Sequence, residues 1–337
     1  MKHFVIRLLN VLVMLLIINA ALVFLVPPDS NNYLATYSDK LAMIDTLKQP
    51  RIILLGGSNL AFGVDSKMMA DSLGCNVANM GLHAGCGMRL VMRDVLPYIQ
   101  TGDIVVLQIE YGNFFSGGNG EPETLALLMM ATHWRGLKGM SAAQQLNVGR
   151  GMPQAAYTNL KRLIKYPLNR TLNTPSSNTR FVYARSGFNQ HGDEVNHWTF
   201  SSQERRVDAP SDIKSVDESF VCWLKQAIAA YQQAGAVVVM VPPVSPLSNF
   251  RAHYAPAIAR ALQAIGHPYV TTPQSMTVPD SLSFDGGYHV TRAGVTINTL
   301  RLIRLIRLTS PPPDISPLKF PWSFMPRHQS QPFIIIR

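Results

Sequence analysis

Cysteine is scarce in this chain. Only Cys75, Cys86 and Cys222 occur in 337 residues, too few for a disulfide framework. Cys75 and Cys86 are close enough in sequence to pair, and their apolar, Gly-rich surroundings suit buried thiols equally well. No Cys/His spacing typical of a metal site is present, and neither a metal nor another cofactor is expected. Acidic residues are also few. The chain has 20 Asp and Glu against 30 Lys and Arg, a net charge of +10. The shortage is sharpest from Trp134 to Arg206, where three acids face eleven Lys and Arg, a local charge of +8. Such a surplus points to an anionic partner or to a solvated basic surface. It comes with no nucleic-acid-binding motif. No internal repeat is present.

The first long feature is apolar. Lys2, His3 and Arg7 precede a run from Leu8 to Val26 interrupted only by Asn10 and Asn19, and Pro27-Pro28 closes it. With Phe4-Val-Ile6 the run reaches spanning length, roughly 20 residues. A cleaved signal peptide has a shorter apolar core and a small-residue site after it; here Ala20-Ala21 lies inside the run. Residues 1–28 are therefore expected to form an uncleaved anchor. The basic residues ahead of the helix put the amino terminus in the cytoplasm and the remainder outside it, in a single-pass inner-membrane protein. That location disfavours nucleic acid as the partner of the basic stretch.

After a linker and a helix over residues 29–49 comes Arg51-Ile-Ile-Leu-Leu-Gly-Gly-Ser58, a buried strand ending in a glycine turn. A helix over 64–73 follows, with Asp65 or Ser66 as its cap. Cys75 to Gly81 reads as a second strand, Met88 to Ile99 as a helix, and Asp103 to Glu110 as the clearest strand. Three strand–turn–helix units in succession predict an α/β domain over about 50–310, its parallel sheet covered by helices on both faces. Residues 114–211 break the rhythm and are expected to form an insertion or lid, with helices at 125–134 and 157–165. The alternation resumes with a helix at 213–233, a strand at 236–241, a helix at 254–265, a short strand at Tyr269-Val-Thr271 and a closing helix at 290–308. Residues 311–337 carry seven prolines and no periodicity, an extended tail.

In this layout Ser58, Gly81 and Asn113 end successive strands along one edge of the sheet, where ligands bind in open α/β folds. Asp285-Gly-Gly-Tyr-His289 stands just before the closing helix. The set Gly56-Gly-Ser-Asn-Leu-Ala-Phe-Gly63, then Asn79-Met-Gly81, then Asp285 and His289, resembles the SGNH, or GDSL-like, hydrolase superfamily, in particular its membrane-anchored cell-envelope members. The resemblance covers about residues 50–113 and 236–308. It implies a three-layer, flavodoxin-like sandwich around a central parallel sheet. It implies Ser58 as nucleophile, His289 as base and Asp285 as the group orienting His289. The Ser58 and Gly81 amides and the Asn113 side chain would then form the oxyanion hole. Two differences from the family pattern stand out: the Asp–His gap is four residues rather than three, and Glu110-Tyr-Gly-Asn-Phe114 replaces Gly-x-Asn-Asp.

Two function classes follow. One is a serine esterase or O-acyltransferase acting on a cell-envelope polysaccharide or lipid, possible partners being an anionic acylated polymer and a membrane acyltransferase. The other is a non-catalytic member of the same fold that binds an anionic glycan. Asn59, with Arg162, Lys165 and Arg170 of the basic stretch, are the substrate-binding candidates.

Overall fold

The computed structural model describes residues 1–165, 182–202, 215–250 and 254–309. Arg170 and the tail at 311–337 lie outside the described residues, as do parts of the expected insertion. The chain begins with α1 (Lys2–Phe24), a helix long and apolar enough to cross a membrane. Its residues 1–18 are exposed, and protein contact begins at Asn19.

The domain is an α/β structure around a four-stranded parallel sheet. Its strands are β1 (Arg51–Gly56), β2 (Asn76–Asn79), β3 (Ile104–Gln108) and β4 (Val237–Met240), in the order β2-β1-β3-β4. β1, β3 and β4 are built on aliphatic runs and β2 is Asn-Val-Ala-Asn, and alternation across the pleat divides their apolar side chains between two cores. Ile53, Leu55, Val105 and Leu107 face one cluster, while Ile52, Leu54, Val106 and Val239 face the other. The first cluster is covered by α2 (Thr36–Thr46), α5 (Met88–Val95), α8 (Glu218–Gln233) and α9 (Ala255–Ala264). The second lies under α4 (Ser66–Leu73) and α10 (Arg292–Thr309). Asp65 caps α4 by accepting the Met68 N–H at 2.9 Å. At the amino-terminal edge of the sheet, fully buried Arg51 forks onto Asp103 at 2.8 and 2.9 Å.

Some details differ from the sequence reading. Tyr269-Val-Thr271 forms no strand. Its one link to the sheet is the Val270 N–H on the Met240 carbonyl at 3.0 Å, and Pro273 soon after has no N–H with which to continue a ladder. The helix expected at 157–165 starts much earlier, as α7 (Ala142–Lys165), and packs beside α6 (Pro122–Ala131). The three cysteines are free thiols, and burial pushes Cys75 up to about 11 and Cys86 up to about 12. A small parallel pair, β5 (Ser245–Pro246) with β6 (Thr277–Val278), lies beyond the carboxyl end of β4.

Candidate active site

The order β2-β1-β3 creates a switch point between β1 and β3, because successive connections leave β1 in opposite directions. Ser58 follows β1 there, and Glu110 follows β3. Ser58 opens the short turn α3 (Ser58–Ala61). Its Oγ donates to Glu110 Oε1 at 3.2 Å, and the Asn59 N–H donates to the same oxygen at 3.0 Å. Glu110 is buried, so this carboxylate is the immediate polar neighbour of the serine. Asn59 is wholly buried. Its Oδ1 accepts the Gly57 N–H at 3.0 Å and its Nδ2 donates to the Gln108 carbonyl at 3.0 Å. Asn59 Oδ1 thus closes the serine turn on itself, and Nδ2 ties that turn to β3.

Asp285 and His289 are brought together by the loop before α10. Gly286 and Gly287 have φ of 94° and 66°, left-handed backbone that glycine accepts freely. The chain therefore folds back, and the Phe284 N–H reaches the His289 carbonyl at 3.0 Å. His289 Nδ1 lies 2.7 Å from Asp285 Oδ1. Tyr183, from the middle of the insertion, donates its hydroxyl to Asp285 Oδ2 and sits 3.2 Å from His289 Nδ1. Burial alone would push the Asp285 carboxyl up. The hydrogen bond and charge of His289, the Tyr183 hydroxyl and the charge of His197 outweigh it and hold the carboxyl below its ordinary value.

Phe62 connects this group to the serine turn. Its N–H bonds the Ser58 carbonyl at 2.9 Å, and its ring stacks on His289 with centroids 4.2 Å apart. Tyr183 and His197 pack against the same ring. Ser58, Glu110, Asp285, His289 and Tyr183 therefore share one end of the sheet. Ser58 Oγ bonds to Glu110, and no hydrogen bond joins it to His289.

The remaining candidates are placed as follows. The Gly81 N–H donates to Asn79 Oδ1 at 3.0 Å. Asn113 is buried, and its Oδ1 accepts the Met88 N–H at the start of α5 at 3.3 Å. The Ser58 N–H is the first of its turn and has no acceptor within that turn. Arg162 lies on α7, where it donates to the Pro27 carbonyl beside the anchor, and Lys165 ends the same helix.

The described part of the insertion is built into this end of the sheet. The His191 carbonyl accepts the Asn79 N–H at 2.9 Å, and the Glu194 N–H bonds the Ala61 carbonyl at 2.9 Å. Buried Asp193 takes the Ser66 hydroxyl at 2.6 Å and Asn79 Nδ2 at 2.8 Å. The sequence pattern does not mark Glu110 or Tyr183 as site residues. A carboxylate directly after a buried strand was the one available signal for Glu110; nothing local marks Tyr183. Among the described residues, no group of three or more His, Cys, Asp or Glu side chains is arranged to hold a metal ion. No known family model matches the chain, and neither a curated protein nor a solved structure matches it.

Proposed function

We propose that the chain is a membrane-anchored, extracytoplasmic serine esterase or O-acyltransferase of the SGNH type, acting on acyl esters of a cell-envelope polysaccharide or lipid. The observation that carries this reading is the Asp285–His289 pair stacked on the turn that presents Ser58. Asp285 fixes His289 Nδ1, leaving Nε2 as the nitrogen available for proton transfer. In the proposed cycle Ser58 Oγ turns from Glu110 to His289 and attacks the acyl carbonyl carbon. Its proton passes to His289 Nε2, and Asp285 stabilises the imidazolium. The leaving alkoxide takes that proton as its bond to the acyl carbon breaks, and an acyl ester on Ser58 remains. Water or an acceptor hydroxyl then gives its proton to His289 and attacks the ester, and the proton passes from His289 to Ser58 Oγ as its bond to the acyl carbon breaks. The Ser58 N–H supplies one oxyanion donor. Gly81 can supply a second once its amide leaves Asn79, and Asn113 Nδ2 is the third candidate.

The anchoring part of the proposal rests on α1. Its amino end would be cytoplasmic, and a membrane acyltransferase is a possible partner. A second reading, in which the same fold binds an anionic glycan without catalysis, draws support from the Ser58–Glu110 bond and the occupied Gly81 amide. Labelling with a fluorophosphonate decides between them. The full-length protein should be labelled on Ser58, and Ser58→Ala and His289→Gln should each abolish labelling with the thermal midpoint retained. An unlabelled but folded wild-type protein would leave the binding reading standing.

A further inference from the structure

The last turns of α1 are gripped by the domain. Val23 is buried among Ala126 and Met130 of α6 and Ala155 and Ala156 of α7. Asn159 donates to the Leu22 carbonyl at 2.8 Å, Arg162 donates to the Pro27 carbonyl, and Phe24 packs on Trp134 with centroids 4.9 Å apart. Only residues 2–18 of the helix are free of the domain. At 1.5 Å per residue these 17 residues cover about 26 Å, less than the ~30 Å hydrocarbon layer. If α1 crosses a bilayer, the residues gripped by α6 and α7 must complete the span, and this side of the domain stands at headgroup level.

α7 carries a matching outer face there. Leu146, Pro153, Tyr157, Leu160 and Ile164 are exposed and, at spacings of two turns, then four, three and four residues, fall along a single stripe. That stripe is opposite the face buried against α6 and α1. Arg150 lies in the stripe, and Lys161 and Lys165 flank it, with Lys161 Nζ 4.6 Å from the centre of the Tyr157 ring. Leu160 adjoins the residue bonded to Leu22, and Ile164 is one turn further on. Apolar and tyrosine side chains bordered by lysines that can reach up to phosphates suit the membrane interface.

We propose that the outer face of α7 lies in the headgroup layer of the bilayer that α1 crosses, its occupant being phospholipid with anionic headgroups. This rests on the anchoring reading above. Basic residues near an anionic surface add attraction that falls off within a Debye length. The bilayer thereby holds the domain at a set orientation, and the Ser58 end of the sheet is kept at a fixed height above it.

The test uses the full-length chain carrying Cys75→Ser and Cys222→Ser, in nanodiscs of phosphatidylcholine mixed with phosphatidylglycerol. Nitroxide labels are placed singly at Leu160→Cys, Ile164→Cys, Leu12→Cys in the anchor and Leu300→Cys on exposed α10. The ratio of accessibility to oxygen over a water-soluble nickel chelate should be several-fold higher at 160 and 164 than at 300, approaching that at 12. A ratio at 160 and 164 equal to that at 300, with 12 still lipid-like, would put the stripe in water and overturn the proposal while the anchor stands. Exclusion of both reagents at 160 and 164 would mean that a protein covers the face, which overturns phospholipid as its occupant. A water-like value at 12 would refute the anchor itself.

Discussion

At the scale of single residues, the site turns on which partner each polar atom holds. Tyr183 and His289 both bond Asp285, so the three form one unit. The Asp285 carboxyl sits below its ordinary value. Its stabilising contribution is complete above the unfolded value, ~3.9, and is lost as the pH falls through the lower folded value. Tyr183→Phe removes one donor to that carboxylate. The carboxyl should then rise toward its ordinary range and hold the imidazole less firmly in place, so kcat/KM on a short aryl ester should fall at neutral pH. Asp285→Asn should cost more, up to about 10⁴-fold if the pair behaves as a triad does. The double variant should be strongly non-additive, because residues acting as a unit lose most of their effect with the first change. Additive losses would show that the hydroxyl acts independently of the carboxylate, and this assignment of Tyr183 would fail. A fall in kcat/KM with the thermal midpoint retained distinguishes positioning from a merely structural role.

At the scale of elements, the chain just after β2 approaches the serine turn closely. A Cβ on Gly81 would stand 2.5 Å from Leu60 Cβ and 2.7 Å from the Gly57 carbonyl oxygen. Gly81→Ala should therefore push the turn at Ser58 off its position, at a cost typical of overpacking, about 1–3 kcal/mol. If Ser58 is the proposed nucleophile, turnover of a short aryl ester should fall further than this stability loss explains, since a displaced nucleophile is penalised in its own right. Denaturant unfolding and kcat/KM measured on the same sample separate the two effects. A stable variant with wild-type kcat/KM would contradict the close packing. This same junction was legible in the sequence, as were the four strands, because short apolar stretches followed closely by turn residues, Gly56-Gly57, Gly81, Gly112 and Pro242-Pro243, carry their own boundaries. The order Ser58, then Asp285 and His289, was legible from motif alone. The start of α7 was not. Gly149, Gly151 and Pro153 argue against a helix by propensity, and tertiary packing overrides them. A Cβ at Gly151 would meet the Pro122 carbonyl oxygen at 1.9 Å, so the glycine permits α6 and α7 to touch. Glu110 reads only as the end of a strand, since nothing in the local pattern says which way a carboxylate will face. Tyr183 lies 102 residues from Asp285, and no periodic signal spans that distance.

At the scale of the whole molecule, Lys40 ties three parts of the fold together. It projects from α2 into the interior, where Nζ donates to the Asn79 carbonyl at 2.7 Å and to the Gly192 carbonyl, with the Phe188 ring 4.8 Å away. The helix after the anchor, the end of β2 and the insertion are thus joined by one amine. Burial pulls Lys40 down to about 7, although the charges of Asp193 and Asp39 push the other way. The direction of its effect on stability follows from proton counting. Below pH ~7 the folded and unfolded chains both carry the proton, and the burial penalty is felt in full. Between ~7 and the ordinary lysine value of ~10.4, the unfolded chain holds the proton and the folded chain sheds it. Stability must therefore rise with pH across that window, by at most about 1.4 kcal/mol per pH unit for one proton. The thermal midpoint should increase by a few degrees from pH 7 to pH 9, an estimate set by the usual unfolding entropy of large domains. Lys40→Met should remove this slope, even though leaving two carbonyls without their donor lowers the midpoint at every pH. The decisive measurement is the difference in slope between the two proteins, not either midpoint. Parallel curves would mean that Lys40 remains charged in the folded chain throughout, with Asp193 and Asp39 compensating its burial.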